Sequence, residues 1–297
     1  MTLAAVRRIL DERVGLDPDT LGPTAFPQAV ADRCRVLGLA DSTAYADRIG
    51  RDSAEFDALL SKLVVPETWF FRGGVFDALA KRATEVRSGQ PERPFRALSV
   101  PCSTGEEPYS LAMALLDAGL IAAGSWAIDA VDVSPAAVAV AKRGTYRDLS
   151  FRQTPAAVRD RFFRKVADGW ELDPMIRSRV RFRVGNVLAP AAFAADAGSY
   201  DLVLCRNLLI YLTPDGRRRV VDLLETLLAP GGWLAVGHAE PSILEGRRFG
   251  PVGPDGGFVF AKGVPPRSER IAVPEARVAL SDPLPLGERV AEGRVRG

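Results

Sequence analysis

A single histidine, His238, serves all 297 residues, and that scarcity removes whole reaction classes. Multi-histidine metal centres are impossible, and no CxxC pair exists to begin a zinc site. A Ser-His-Asp triad would have to use His238, which follows the strand-like run WLAVG and reads as a strand-end core or cofactor-shell residue. The cysteines, Cys34, Cys102 and Cys205, are odd in number, far apart and set in apolar runs. Buried free thiols in a reducing cytoplasm are the expectation. No run approaches the ~18–20 continuous apolar residues of a membrane span. The opening MTLAAVRRILDERVGL carries charges inside its apolar stretch and predicts an amphipathic helix rather than a signal peptide. A net charge of +2 argues against a polyanion binder, so no nucleic-acid partner is expected.

What is present is 47% hydrophobic residues, enough for a sizeable core. Residues 1–65 read as helices at about 3–14, 26–37, 42–49 and 52–63. In the last, Phe56, Leu59, Leu60 and Leu63 fall at helical spacing. This predicts a small helical subdomain. From 66 to 263 strands alternate with helices, the signature of a largely parallel α/β sheet. Strands are predicted at 95–100, 127–132, 180–184, 200–205, 233–238 and 258–262, and helices at 106–118, 135–142 and 214–229. Residues 264–297, rich in Pro, Arg and Glu without an apolar period, predict a flexible tail.

The stretch CSTGEEPYSLAM (102–113) follows the first strand, where doubly wound folds place their cofactor turn. The glycine fingerprint for a pyrophosphate is missing there: Gly105 is followed by Glu106 and Glu107. A helix N-terminus attracts anions, and two carboxylates already fill that role. A phosphate would be repelled, whereas S-adenosylmethionine, a cation with ribose hydroxyls, fits. Thr104 and Glu107 form a capping-box pattern, with Pro108 in the first turn. Asp132 ends the second strand, where an acid hydrogen-bonds ribose hydroxyls or merely opens the turn at Ser134. Asn186, after the third strand, either caps a turn or faces an adenine edge. In LCRNLLIYL (204–212) an apolar strand ends in Arg206 and Asn207, at the sheet edge where ligands bind. Tyr211 is divided between core packing and donating its hydroxyl to the site. PETWFFRGGVF (66–76) joins the two regions through Arg72, which either makes an interdomain salt bridge or aims its planar fork at a carboxylate. Residues 142–183 hold twelve Lys/Arg against five Asp/Glu, whereas the first sixty-five residues hold eight against ten. That basic stretch is either a solvated face or a surface for an acidic macromolecule.

Taken in order, ETWFFR, CSTGEEPYSLAM, Asp132, LCRNLLIYL and GGWLAVGHAE resemble the CheR family of chemotaxis protein-glutamate methyltransferases, most closely its WspC-type branch. The resemblance covers about residues 1–263. It implies a Rossmann-like S-adenosylmethionine methyltransferase domain that methylates glutamate side chains on the cytoplasmic helical region of a chemoreceptor. S-adenosylhomocysteine would be the product. It further implies cofactor contacts from Thr68, Arg72, Glu106, Asp132, Asn186, Val187, Asn207 and Leu208, with Arg72 and Tyr211 near the reacting groups. The alternatives are a non-receptor carboxylate acceptor or a cofactor-binding regulatory module. A cytoplasmic monomer without membrane insertion is expected. This chain departs from the family pattern at Pro66, where many members have Asn, and at Pro101, which should stiffen the cofactor turn. The connection between Phe163 and Trp170 is shorter than in members that grip a receptor's C-terminal pentapeptide.

Overall fold

A computed structural model describes residues 3–64, 67–122, 124–252 and 258–263; Pro66 and the predicted tail lie outside them. Four helices open the chain: α1 (Ala4–Val14), α2 (Ala25–Leu37), α3 (Ser42–Arg51) and α4 (Ser53–Leu63). Their ends follow local chemistry. Asp41 accepts from the N–H groups of Thr43 and Ala44 at the start of α3, and Asp52 from those of Ala54 and Glu55 at the start of α4. Gly15 and Gly38 close α1 and α2 in the left-handed conformation. Val6, Leu10, Val30, Ile49 and Leu59 are fully buried between the helices. One polar knot sits in that core. Arg33 donates through Nε and Nη2 to Glu55, whose Oε1 also accepts from Tyr45 Oη at 2.8 Å. The Arg33 bonds hold the Glu55 carboxyl below its ordinary range despite burial.

The remainder runs α5 (Phe76–Gly89), β1 (Phe95–Ser99), α6 (Glu106–Asp117), β2 (Trp126–Asp132), α7 (Pro135–Arg143), β3 (Thr145–Tyr146), α8 (Ala156–Phe162), β4 (Phe163–Val166), β5 (Gly169–Leu172), α9 (Pro174–Arg177), β6 (Val180–Val184), β7 (Tyr200–Cys205), α10 (Pro214–Leu227), β8 (Leu228–Val236), β9 (Phe249–Pro251) and β10 (Val259–Lys262). The main sheet has the order β6-β2-β1-β7-β8-β10-β9. Its first five strands are parallel, and β10 and β9 close it antiparallel. The chain builds outward from β1 to β6, then returns to add β7 on the other side. The strand order therefore reverses between β1 and β7, the place where open α/β sheets hold ligands. Apolar clusters fill both faces, one under α5 and α6, the other under α10. No helix among the described residues is long and apolar enough to cross a membrane. All three cysteines are free and buried.

The predicted α/β architecture is the one observed, with four local differences. Helices α5, α8 and α9 and strand β9, counted together as the first, were not anticipated. The strand expected at 233–238 starts at Leu228 and takes in the Pro230-Gly231-Gly232 run, while the helix before it ends at Leu227. Residues 145–172 form a second, three-stranded antiparallel sheet in the order β3-β5-β4. Within it β4 ends at Val166 and β5 starts at Gly169, a tight hairpin. His238 is exposed beyond the end of β8 rather than part of a core.

Candidate functional site

Three parallel strands, β1, β2 and β7, deliver their carboxyl ends to one edge of the sheet. Beyond β1 the chain crosses a cis Val100–Pro101 peptide. Val100 then donates its N–H to the Leu204 carbonyl and Cys102 its N–H to the Val131 carbonyl, both at 2.9 Å. The turn is thus tied to both neighbouring strands. Ser103 and Gly105 have φ of 48° and 97°, and a Cβ at Gly105 would lie 2.9 Å from both Ala141 Cβ and Tyr146 Oη. Glycine is required there twice over, by conformation and by space. Gly105→Ala is expected to lose about 2 kcal/mol of stability, measured by urea unfolding. An unchanged midpoint would show that the turn tolerates a side chain.

Asp132 closes β2 and is 7% exposed. Its Oδ2 accepts the Ser103 N–H at 2.8 Å and its Oδ1 the Ser134 N–H at 2.9 Å. One carboxylate therefore holds the β1 turn and starts the turn into α7. Burial raises its pKa above the usual carboxylate range, although these N–H groups oppose the shift.

The expected capping box does not form. Gly105, not Thr104, is the N-cap of α6, so the third helical position falls on Pro108, which has no N–H to cap. Thr104 donates instead to Glu106 Oε2 at 2.6 Å, and Ser150 Oγ donates to Glu106 Oε1 at 2.9 Å. Glu107 turns the other way. It accepts from Ser99 Oγ at 2.8 Å, and its Oε2 lies 3.3 Å from Arg206 Nη1. Burial raises the pKa of both glutamates, with Arg206 countering it at Glu107.

Arg72 sits on a strap in front of this turn. Phe70 donates its N–H to the Ser150 carbonyl at 2.9 Å, and Phe71 (φ 58°) donates to Ser110 Oγ at 2.8 Å. Ser110 in turn donates to the Glu106 carbonyl at 2.6 Å. The Arg72 guanidinium lies 4.3 Å from the Trp69 ring centroid, and that of Arg152 lies 3.7 Å from the same ring. Arg72 donates to the Glu67 carbonyl and forms no ion pair among the described residues, so it is not an interdomain salt bridge. Burial and the neighbouring Arg206 lower its pKa, yet a guanidinium stays protonated at neutral pH. A Cβ at Gly73 would approach Arg206 Nη2 to 2.6 Å, so strap and β7 end are in contact. Thr68 is half-buried at the start of the strap.

The remaining predicted residues divide between two places. Asn207, just past β7, has φ of 59° and donates its N–H to Glu240 Oε2 at 3.0 Å. Leu208 follows it, half-buried against the apolar cluster under α10. Asn186 and Tyr211 instead meet the helical subdomain. Asn186 accepts from the Leu188 N–H at 2.9 Å, closing a turn, and donates Nδ2 to the Arg13 carbonyl at 2.5 Å. Val187 packs half-buried beside it, against the α10 side. The Tyr211 ring packs on the helical core and its carbonyl accepts the Asp17 N–H at 2.9 Å. Asp132 and Asn186 remain neighbours, because Gly185 donates its N–H to the Asp132 carbonyl at 2.9 Å. Glu240 was not singled out, and Glu107 and Arg206 were read as the acid of the turn and the end of the strand without their mutual contact. Arg206 and the GHAE run stand in plain view, but their partners lie far off in the chain.

The donor set has a definite chemical preference. Two buried carboxylates, Asp132 and Glu106, and the partly buried Glu107 surround a turn with one glycine. An anionic pyrophosphate would meet repulsion there, and a cationic, hydroxyl-bearing cofactor would be attracted.

Comparison with known proteins agrees with that preference. Residues 66–250 match a family described as CheR methyltransferase, SAM binding domain. The chain is 44% identical over 257 residues to a probable biofilm formation methyltransferase, WspC, of Pseudomonas aeruginosa, covering 86% of this chain and 60% of the relative. The WspC of Pseudomonas putida is 42% identical over 260 residues, with the same 86% and 60% coverage. The chemotaxis protein methyltransferase of Escherichia coli K12 is 32% identical over 223 residues, covering 73% of this chain and 76% of that one. The chain thus spans about 60% of the length of the two WspC relatives it matches.

Proposed function

The chain belongs to the CheR methyltransferase family, whose matched domain binds S-adenosylmethionine, and from that membership we propose that it methylates glutamate side chains of chemoreceptors. The observation that carries the reading is the pairing of an acidic turn (Glu106, Glu107, Asp132) with Arg72 beside it, a cation that forms no ion pair among the described residues, whereas Arg206 is held by Glu107. The two sets suit a sulfonium on one side and an acceptor carboxylate on the other. The setting proposed is a cytoplasmic, biofilm-linked receptor array, and the relatives named for biofilm formation support its link to biofilms.

In this reading Asp132 takes the ribose hydroxyls, Glu106 helps compensate the positive charge, and Asn186, Val187, Asn207 and Leu208 line the adenine and ribose side. Thr68 and Arg72 close the site from the strap. S-adenosylmethionine, when bound, supplies a methyl group activated by its positive sulfur. The acceptor glutamate, with an ordinary pKa near 4.3, is ionised at neutral pH and needs no general base. The chain's task is then positioning and exclusion of water. Arg72 orients a carboxylate with its planar fork, Tyr211 aligns the acceptor, and Glu107 keeps Arg206 from competing for the incoming carboxylate. The receptor surface is the basic face around the small sheet. There Lys142, Arg143 and Arg147 form no ion pair among the described residues, and Leu149 is 71% exposed.

The test is to incubate the protein with radiolabelled S-adenosylmethionine and membranes bearing its own receptors. Base-labile label on a receptor band supports the ester reading, and no label on any receptor while a free carboxylic acid is methylated overturns it.

The buried acids also set a pH dependence. Ionised, they attract a cationic cofactor, and their raised pKa values make them protonate above the ordinary carboxylate range. Cofactor affinity is therefore expected to fall as pH drops from neutral toward the carboxylate range, beginning above the pH where ordinary carboxylates protonate, with proton release on binding at the acid end. Titration calorimetry in buffers of different ionisation enthalpy reads both. A flat profile would sink the electrostatic account.

A further inference from the structure

Glu240 is 0% exposed and forms no ion pair among the described residues. Its carboxylate accepts three backbone N–H groups: Oε2 takes those of Gly237 at 2.6 Å and Asn207 at 3.0 Å, and Oε1 that of Leu209 at 2.8 Å. Gly237 follows β8, while Asn207 and Leu209 lie on the loop after β7. One side chain thus pins the two loops together. The pinned loop is the one whose backbone enters the left-handed region, at Asn207 with φ of 59°. Among residues with a Cβ asparagine enters that region most readily, and here the N–H bonds of Asn207 and Leu209 to Glu240 hold the loop in it. Space is tight as well, since a Cβ at Gly237 would lie 2.8 Å from Glu240 Oε2 and 3.0 Å from Asn207 Nδ2. The clamp and the Asn207 side chain therefore share one crowded spot.

We propose that Glu240 is a positioning residue for cofactor binding: its carboxylate holds Asn207 in the left-handed conformation and so fixes the orientation of the Asn207 side chain. The inference rests on the reading that Asn207 faces the cofactor. Bonds from N–H groups to a buried carboxylate are stronger than those to a neutral acceptor, and a neutral carboxamide offers one oxygen for three donors. Glu240→Gln keeps the volume but turns an NH2 toward one of the three N–H groups.

The experiment compares wild type, Glu240→Gln, Asn207→Ala and the double variant by calorimetric titration with S-adenosylhomocysteine. Thermal melting and amide hydrogen exchange are followed in parallel. Glu240→Gln is expected to weaken S-adenosylhomocysteine binding roughly tenfold or more, with faster exchange at Asn207 and Leu209. In the Asn207→Ala background the same change is expected to cost little further affinity, because the two act as a unit. Unchanged affinity in Glu240→Gln, measured well below its melting temperature, overturns the proposal and leaves Glu240 a purely structural clamp. So does full additivity in the double variant. If Asn207→Ala alone binds as tightly as wild type, the reading of Asn207 fails, and the exchange rates then report the clamp separately. Should Glu240→Gln not fold, Glu240→Asp takes its place. The shortened side chain reaches fewer of the donors, and intact affinity there is equally fatal to the idea.

Discussion

Replacing Asp132 by alanine is expected to weaken cofactor binding by about 10²-fold, the worth of a pair of charge-assisted bonds to ribose hydroxyls. The same change acts on the fold. Ser103 and Ser134 would each keep a buried N–H without its acceptor, at roughly 1–3 kcal/mol apiece. The melting temperature should drop by several degrees as well. Asp132→Asn separates the two effects, because it keeps the shape and one acceptor oxygen while losing the charge. It should recover part of the stability and little of the affinity. Calorimetry with S-adenosylhomocysteine and a thermal scan measure the two quantities independently. Wild-type affinity in the alanine variant would remove Asp132 from the cofactor site.

Arg72→Ala is expected to cut turnover by about 10²-fold or more while leaving the fold intact. Among the described residues the guanidinium bonds to the Glu67 carbonyl and lies against the Trp69 ring, and Arg152 still covers that ring. The strap itself is held by the backbone of Phe70 and Phe71, so it survives the truncation. Arg72→Lys should restore little, since a point charge does not reproduce a planar, bidentate fork. Single-turnover methylation of receptor membranes at saturating cofactor is the measurement. Normal turnover in Arg72→Ala would end its assignment to the reacting groups.

The sequence patterns that proved readable share a physical cause. Strands β6 and β7 occupy the predicted residues because each is a short β-rich run bounded by turn signals. Asp132 and Arg206-Asn207 could be placed at the carboxyl ends of their strands because a polar residue ending an apolar strand has few other places to go. The small sheet was not visible. Its strands are two to four residues long, and β4 reads Phe-Arg-Lys-Val, with Arg164 and Lys165 both exposed. A stretch so rich in arginine looks like solvated surface until its partner strands are known. The capping box failed for a similar reason: the left-handed turn at Gly105 moved the helix start by one residue, and tertiary contacts with Ala141 and Tyr146 fixed that turn. Asn186 closes a turn and Tyr211 packs on a core, each one of its two sequence readings, but their further partners Arg13 and Asp17, near the start of the chain, left no signal beside them.

Those partners bear on what can be moved between proteins as a working part. The stretch that defines the family begins at residue 66, but the loops after β6 and β7 are finished by the end of α1. The Arg13 carbonyl receives Asn186, the Gly15 carbonyl receives the Thr213 N–H, and Asp11 Oδ1 receives the Thr213 hydroxyl. A Cβ at Gly15 would stand 2.7 Å from Leu188 Cδ1 and 3.2 Å from Gly216 Cα, so the seam is closely fitted on both sides. A chimaera that swapped the α/β portion alone would inherit the chemistry-bearing strands with their two covering loops half-bonded. The four opening helices and the α/β portion behind them therefore have to be exchanged together, and a substitution at Gly15 belongs among changes to the candidate site as much as among changes to a helix end.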